Sequence, residues 1–537
     1  MKKIIPLLLV LAAPLLLHAA TGDVIRTIAA PSPCVTGVAA AGDYLWVVDR
    51  KTDLIYKIDH TGTVLKTLTA PGYFCSGIAW DGEALWVADI DFTNTSTESY
   101  SGKIYQIDPE TGRTLRSLVA PFSDPQGLTW QDGYLWVADN GRRELIKISV
   151  EDGTTIQALK APSGDPRGLA WDGSYLWVAD RSRDEIYRVC PETGDVILIM
   201  KTPGPYPWGL TWMGKTLMLS DYETDTLTEL VVSDGTPCVR SGKRMSEIEV
   251  YQDFMNFGPG TVDNLDVYIA EPENRETQKI LSIDFPEKPK AMRTDRWGQK
   301  AAWFSYKNLG PGDRVKSVMR VKAELYDVTW HIFPEKVGGL DEIPADIKRR
   351  FLRDDEKYSL TDPVIQSAVK EAVGDTKNPY FIARNIFDYL RQKLYYERSG
   401  GWDIAPTVLK RGNGSCSEYT FVYIAMCRAA GLPARYVGSV VVRGEDACVD
   451  YVYHRWVEVY LPGCGWIPVD PSGGDQESPR DQAMYFGHLA NRFLITTQGG
   501  GGSEYMGWDY NVYETHQNDG PVQVRIETMA EWDRGDQ

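Results

Sequence analysis

Short apolar-rich runs of four to six residues, divided by Gly, Asp and Thr turns, fill positions 23–235. In one unit Gly168–Trp171, Tyr175–Asp180, Glu185–Val189 and Val196–Lys201 read as strands, with turns at Asp172-Gly173 and Glu192-Thr193-Gly194. The motif at 168–180 recurs along the chain. Its leading glycines are Gly37, Gly77, Gly127, Gly168 and Gly209, spaced 40, 50, 41 and 41 residues apart, and an aspartate follows each twelve positions later: Asp49, Asp89, Asp139, Asp180 and Asp221. Trp46, Trp86, Trp136 and Trp177 share one slot, held by Met218 in the last copy, and a polar insertion near Phe92–Gly102 accounts for the long interval. Four strands per unit predict propeller blades. The fifth unit ends near Gly235 without a fourth strand, and Asp23–Ile28 can supply it. The pattern thus predicts a five-bladed propeller over 21–237, closed by its N-terminal strand so that no edge is left open. Repeated Asp and Trp residues are expected to brace turns and pack between blades rather than to line a binding funnel.

The repeat stops at Cys238. Alternating runs at Leu265–Ala270, Lys279–Phe285, Ala301–Tyr306 and Ser317–Leu325, with Gly258-Pro259-Gly260 and Gly310-Pro311-Gly312 as turns, predict a small antiparallel β-sandwich over 238–335. Period-four spacing then takes over. Asn378-Pro379 reads as a cap and first turn, and Ile382, Ile386, Leu390 and Leu394 share one face. A second helix is expected around Pro363–Val373. These open a third unit, 336–515, and residues 516–537 read as a C-terminal tail.

Lys2 and Lys3, the apolar run Ile4–Leu17 and Ala19-Ala20 read as a signal peptide over 1–20, which predicts a secreted or periplasmic protein without a later membrane span. Loss of the two leader lysines takes the formal charge from −17 to −19. With no basic cluster to offset that charge, the composition argues against a nucleic-acid partner. Eight cysteines in an exported chain permit disulfides, with Cys34–Cys75, Cys190–Cys238 and Cys448–Cys464 as candidate pairs. No cofactor or metal motif is evident. The five histidines after the leader form no i,i+4 pair, and Gly499–Gly502 lacks the Lys-Ser/Thr of a phosphate loop. Asp91 and the acidic turns are the only calcium candidates.

The chemistry concentrates after residue 400. Ser415-Cys416-Ser417-Glu418 fits a capping box, with Ser415 as N-cap and a helix running to Gly431 before Pro433. Cys416 then sits in the first turn, where free backbone N–H groups and the positive helix end favour a thiolate and can bind an oxyanion. In Tyr453–Tyr460, alternation places His454, Trp456 and Glu458 on one face and Val457 and Val459 on the other. A turn around Pro462–Gly465 leads to Trp466–Asp470, so His454 and Asp470 fall nearly opposite across a hairpin. A thiol, a base and an orienting carboxylate are the parts of a nucleophilic site.

Four ordered stretches resemble the transglutaminase-like superfamily: Gly414–Tyr419, Ala429–Val437, His454–Val459 and Gly465–Pro471. The resemblance spans about 380–475 and implies an α+β papain-like fold with Cys416 as nucleophile, His454 as base and Asp470 as orienter. It also implies attack on an amide of a protein or peptide substrate through a Cys416 thioester, followed by hydrolysis or, with an amine acceptor, cross-linking. Ser415, Trp402, Asp403 and Tyr453 are further candidates for the oxyanion or substrate pocket. The repeat region resembles NHL-type and streptogramin-lyase-like propellers, which suggests a docking module for a protein or glycan ligand. A lyase centre there would need a histidine, and His60 lies in an ordinary turn. A non-catalytic binding or assembly protein is the rival reading, distinguished by the reactivity of Cys416.

Overall fold

The computed structural model describes residues 20–91, 101–119, 124–233, 237–398, 401–443 and 448–532. All but the last residue of the expected leader, most of the Phe92–Gly102 insertion and the side chain of Asp91 lie outside the described residues.

Five four-stranded antiparallel sheets occupy residues 24–231. Their inner strands touch in a closed cycle, and the motif glycines show why no side chain fits there. A Cβ on Gly77 would stand 2.1 Å from Gln126 O, one on Gly127 2.1 Å from Arg167 O and one on Gly168 2.3 Å from Trp208 O. Gly209 meets Gly37 in the same way, and Gly37 meets Gly77. The repeated tryptophans lie between sheets: Trp86 stacks on Trp130 of the next unit and Trp177 on Trp212, each with its indole N–H on an aspartate of its own turn (Asp81 and Asp172). Val24–Ala29 pairs with Thr226–Val231, so the N-terminal strand completes the last sheet.

The middle region departs from the predicted sandwich. Residues 238–335 do not form a separate domain but contribute to one eight-stranded sheet built on a single strand, Cys238–Ala270. Gly258-Pro259-Gly260 is no turn. The strand runs through it with register shifts while Val512–Trp532 pairs alongside. The expected tail at 516–537 is therefore, through Trp532, a strand of this sheet. Val449–Asp450 and His488–Leu489 join the sheet as well. Its core mixes Val250, Val267, Phe304 and Met319 with Val440 and Leu494 from the later segment.

The C-terminal unit packs helices Pro363–Val373, Pro379–Lys393, Ala405–Arg411 and Cys416–Ala429 beside a four-stranded sheet. The sheet order is Gly465–Val469, His454–Leu461, Ala434–Val441, Phe493–Gly499. Asn378 caps the second helix through Tyr380 N–H, and Ile382, Ile386 and Leu390 are buried on one face. The helix Cys416–Ala429 is enclosed on all sides, with every residue from Cys416 to Arg428 buried.

This unit is fixed to the fourth sheet of the ring. Arg480 forks onto Glu185 at 2.9 Å to each oxygen, Arg384 reaches Asp195 at 2.8 Å, and Arg188 reaches Glu335 at 2.8 Å. Tyr175, Cys190 and Ile197 share a hydrophobic cluster with Tyr380, Phe387 and Phe486. The outer-strand position buried here as Ile197 is solvent-exposed in the other copies, as Ile25, Leu65, Leu115 and Ile156.

All eight cysteines are free thiols, so none of the three candidate disulfides forms. Cys75 faces Gly72 O and Asp89, Cys190 faces Glu192, and Cys238 faces Glu276. Among the described residues no helix is long and apolar enough to cross a membrane, and no group of three or more His, Cys, Asp or Glu residues is placed to hold a metal ion.

Candidate active site

The helix Ala405–Arg411 ends at Gly412 in the left-handed conformation (φ 81°), Asn413-Gly414 pairs with Tyr395-Tyr396, and extended Ser415 leads directly into Cys416. Cys416 is the first helical residue, where the backbone N–H groups have no helical partner. Glu418 locks this start in place. One of its oxygens accepts Ser415 N–H at 2.9 Å, and the other accepts Asp403 N–H at 3.1 Å and Arg411 Nη2 at 2.8 Å. Burial alone would raise the Glu418 carboxyl, but Arg411 and the two amides outweigh it and hold it below the usual range.

His454 opens the next strand of the site. Its partner strand pairs in the register Val457↔Val469, which sets Asp470 one diagonal step from His454. His454 Nε2 and Asp470 Oδ2 lie 2.6 Å apart. Asp470 Oδ1 is committed to Ser472 N, Gly473 N and Ser472 Oγ at 2.8–3.1 Å, so the carboxylate cannot rotate away. With Nε2 engaged, Nδ1 is the ring nitrogen left for Cys416, whose thiol interacts with the His454 side chain. Cys416 is 7% exposed and the His454 side chain 20%, which encloses the pair yet leaves it reachable.

Burial opposes charge at each of these groups, and pairing overrides it. The His454 imidazole is pushed up to about 10 by Asp470 and Cys416. The Cys416 thiol is lowered by His454, the Arg455 N–H and the Arg455 charge. Asp470 is held low by His454, Gly473 N–H and Ser472. The arrangement favours a thiolate–imidazolium pair, a resting nucleophile with a proton donor beside it.

The remaining sequence candidates divide. Ser415 Oγ is buried without a hydrogen-bond partner. Asp403 is tied to Arg411 at 2.6 Å. Trp402 and Tyr453, both at positive φ (55° and 57°), border the site through Tyr510, which Trp402 stacks on and Tyr453 meets edge-on, and Trp402 also faces the Arg455 guanidinium.

Three residues escaped the sequence reading. The Tyr510 hydroxyl interacts with Cys416 and Ser417, and burial followed by the Cys416 charge holds it well above the ordinary phenol range, so it remains protonated. Tyr396 Oη lies towards the Cys416 N–H. Arg455 turns its backbone N–H towards the Cys416 sulfur and adds its side-chain charge. Nothing local marks Tyr510 or Tyr396. Arg455, however, alternates onto the same face as Val457 and Val459, and a charge on an apolar face was a legible signal.

Residues 366–471 match the model of the Transglutaminase-like superfamily. The chain is 22% identical over 246 residues to an uncharacterized protein of Haemophilus influenzae, covering 39% of this chain and 64% of that one. It is 25% identical over 104 residues to the uncharacterized protein YebA of Bacillus subtilis, covering 18% and 14%. The chain thus spans less than two-thirds of the length of these curated relatives. Among solved structures, a provisionally named cysteine protease from Cytophaga hutchinsonii overlaps 55% of this chain and 100% of its own, at 13% identity and a TM-score of 0.39. That overlap fixes neither the fold nor the chemistry of this chain.

Proposed function

We propose that this is an exported cysteine enzyme that opens amide bonds of a protein or peptide through a thioester on Cys416. The observation that carries this reading is the His454–Asp470 hydrogen bond beside Cys416 at a helix N-terminus, inside the segment that matches the transglutaminase-like model. The Cys416 thiolate attacks the carbonyl carbon and the C–N bond breaks. The His454 imidazolium gives its proton to the departing nitrogen, and Asp470 holds the ring in place. The Tyr510 hydroxyl can donate to the oxyanion, and so can the Cys416 N–H at the helix start. Water then attacks the thioester, His454 takes its proton, and the thiolate leaves. With an amine in place of water the same steps give a cross-link. We adopt hydrolysis as the main reading and cross-linking as the alternative.

The experiment is incubation of the purified protein with a glutamine- and peptide-amide library, with and without a primary amine. Released ammonia or new termini support hydrolysis, whereas incorporated amine supports cross-linking. Neither activity, in a protein whose Cys416 is intact, would favour the binding-protein reading.

For the ring we propose a five-bladed propeller that docks the macromolecular substrate or a glycan. The position before each ring glycine differs from copy to copy (Thr36, Ser76, Gln126, Arg167, Trp208) while the residues around it repeat. Gln126, Arg167 and Trp208 are buried there with polar atoms that lack hydrogen-bond partners. Arg167→Ala with Trp208→Ala would raise KM for a protein substrate and leave a short peptide unaffected. Export is tested by N-terminal sequencing of the mature chain, expected to begin after Ala20.

A further inference from the structure

We propose that Arg455 is a positioning residue that sets a fixed positive charge behind Cys416 and aims the Tyr510 hydroxyl at its sulfur. The proposal rests on the reading of Cys416 as a nucleophile and adds a group outside the Cys-His-Asp line.

Arg455 is fully buried. Its guanidinium makes one hydrogen bond, from Nη2 to Trp508 O, while Nε and Nη1 have no partner. Other buried arginines are provided for: Arg384 has Asp195 and Asp388, Arg188 has Asp172 and Glu335, Arg435 has Glu458, and Arg428 has the carbonyls of Arg353, Ala434 and Gly500. Among the described residues Arg455 has no carboxylate in ion-pair contact. It is caged instead by aromatic rings, with its Cζ 4.1 Å from the centroid of Tyr510, 4.8 Å from Tyr436, 5.0 Å from Trp402 and 5.4 Å from Phe421.

An unpaired buried cation is costly in a fold unless an anion forms nearby. The nearby anion is the Cys416 thiolate, which feels the Arg455 charge in addition to the Arg455 backbone N–H; only the charge is lost in Arg455→Met. A cation over the Tyr510 ring also draws electron density from the phenol and strengthens its O–H as a donor. No proton moves to or from Arg455; the thiol proton goes to His454 Nδ1.

Other ionisable groups face the pair. His454 and Tyr396 lie against Cys416, with Asp470 behind His454. Tyr510, Tyr436 and Tyr358 face Arg455. Asp509 also faces it, pushed up to about 6 by burial against the pull of Arg455.

The test is the pH dependence of Cys416 alkylation by iodoacetamide in the full-length protein, for wild type, Arg455→Met, Arg455→Lys, Asp509→Asn and His454→Ala. The proposal expects the midpoint to rise by about one unit or more in Arg455→Met and to stay near wild type in Arg455→Lys. Asp509→Asn should leave it low. An unchanged midpoint in folded Arg455→Met overturns the proposal, as does a midpoint that follows Asp509 instead. If Arg455→Met does not fold, Arg455→Lys decides: a midpoint raised to the ordinary thiol range in that folded variant overturns the role of charge. If wild-type Cys416 is itself unreactive at low pH, the reading of Cys416 as a nucleophile fails. If wild type is reactive and depends on His454 alone, only the role of Arg455 fails.

Discussion

In the ring of sheets, Asp49 Oδ1 accepts hydrogen bonds from Lys51 N, Thr52 N and Thr52 Oγ1, and its Oδ2 accepts Cys34 N. Asp180 and Asp221 repeat the pattern, with Oδ2 on Asp165 N and Tyr206 N. At the end of Gly465–Val469, Asp470 Oδ1 accepts Ser472 N, Ser472 Oγ and Gly473 N in the same arrangement. The difference lies in the second oxygen, which meets His454 Nε2 instead of a backbone amide. Residue type and turn chemistry are therefore shared between the two regions, and what Oδ2 faces separates a brace from a participant. Repetition is the sequence-level sign of the first. The repeated carboxylates at Asp49, Asp180 and Asp221 are held by backbone amides and turn hydroxyls, whereas Asp470 occurs once and is aimed at an imidazole.

The sharpest break in that comparison comes from Cys416→Ala, which should lower turnover about ten-thousandfold or more while leaving the circular dichroism and melting of the protein unchanged. Next comes the aspartate pair itself. Asp470→Asn keeps a turn acceptor but removes the charge that supports the imidazolium, and kcat should fall about a thousandfold to ten-thousandfold. Asp180→Asn should leave kcat for a short peptide within about twofold and instead lower stability by about 2 kcal/mol, read as a drop in denaturant midpoint. Equal kinetic effects at the two positions would erase the distinction between them. Tyr510→Phe removes one donor near the sulfur and should cost about ten- to a hundredfold in kcat, with KM little changed.

The smallest effect concerns the junction of the two regions. Burial pushes Glu185 up, but its bonds to Arg480 and Lys201 outweigh that and hold it at about 2, below the ordinary 4.5. A carboxylate depressed in the folded state adds stability fully above about pH 4.5, and the contribution is lost as pH falls toward 2. Wild type should therefore weaken through that window in an acid titration. Glu185→Gln should lack that part of the pH dependence while being less stable at neutral pH.

Much of this contrast could be read from the chain, because both regions announce themselves locally. The five glycines recur where a Cβ would strike the next inner strand, and that steric demand leaves a period in the sequence. Cys416 at its helix start and the diagonal of His454 and Asp470 follow from a cap and a short hairpin, both set by neighbouring residues. Long-range pairing leaves no such trace. Residues 516–537 read as a tail because the strand that holds most of them, Val512–Trp532, pairs with Cys238–Ala270 more than 240 residues away, and Gly258-Pro259-Gly260 reads as a turn because the strand that carries it is unusually long. Tyr510 was invisible for the same reason. The segment that carries it meets Cys416 only after the sheet has formed.

The account depends most directly on whether Cys416 is ionised by its surroundings. Modification by iodoacetamide, followed across pH and located by mass spectrometry in wild type and His454→Ala, measures this. A single rapid adduct on Cys416 is expected, with a midpoint well below the ordinary thiol value of about 8.5 and moved up toward it in the variant. An adduct that forms only in the ordinary thiol range, with no difference between wild type and His454→Ala in folded protein, would contradict the central claim.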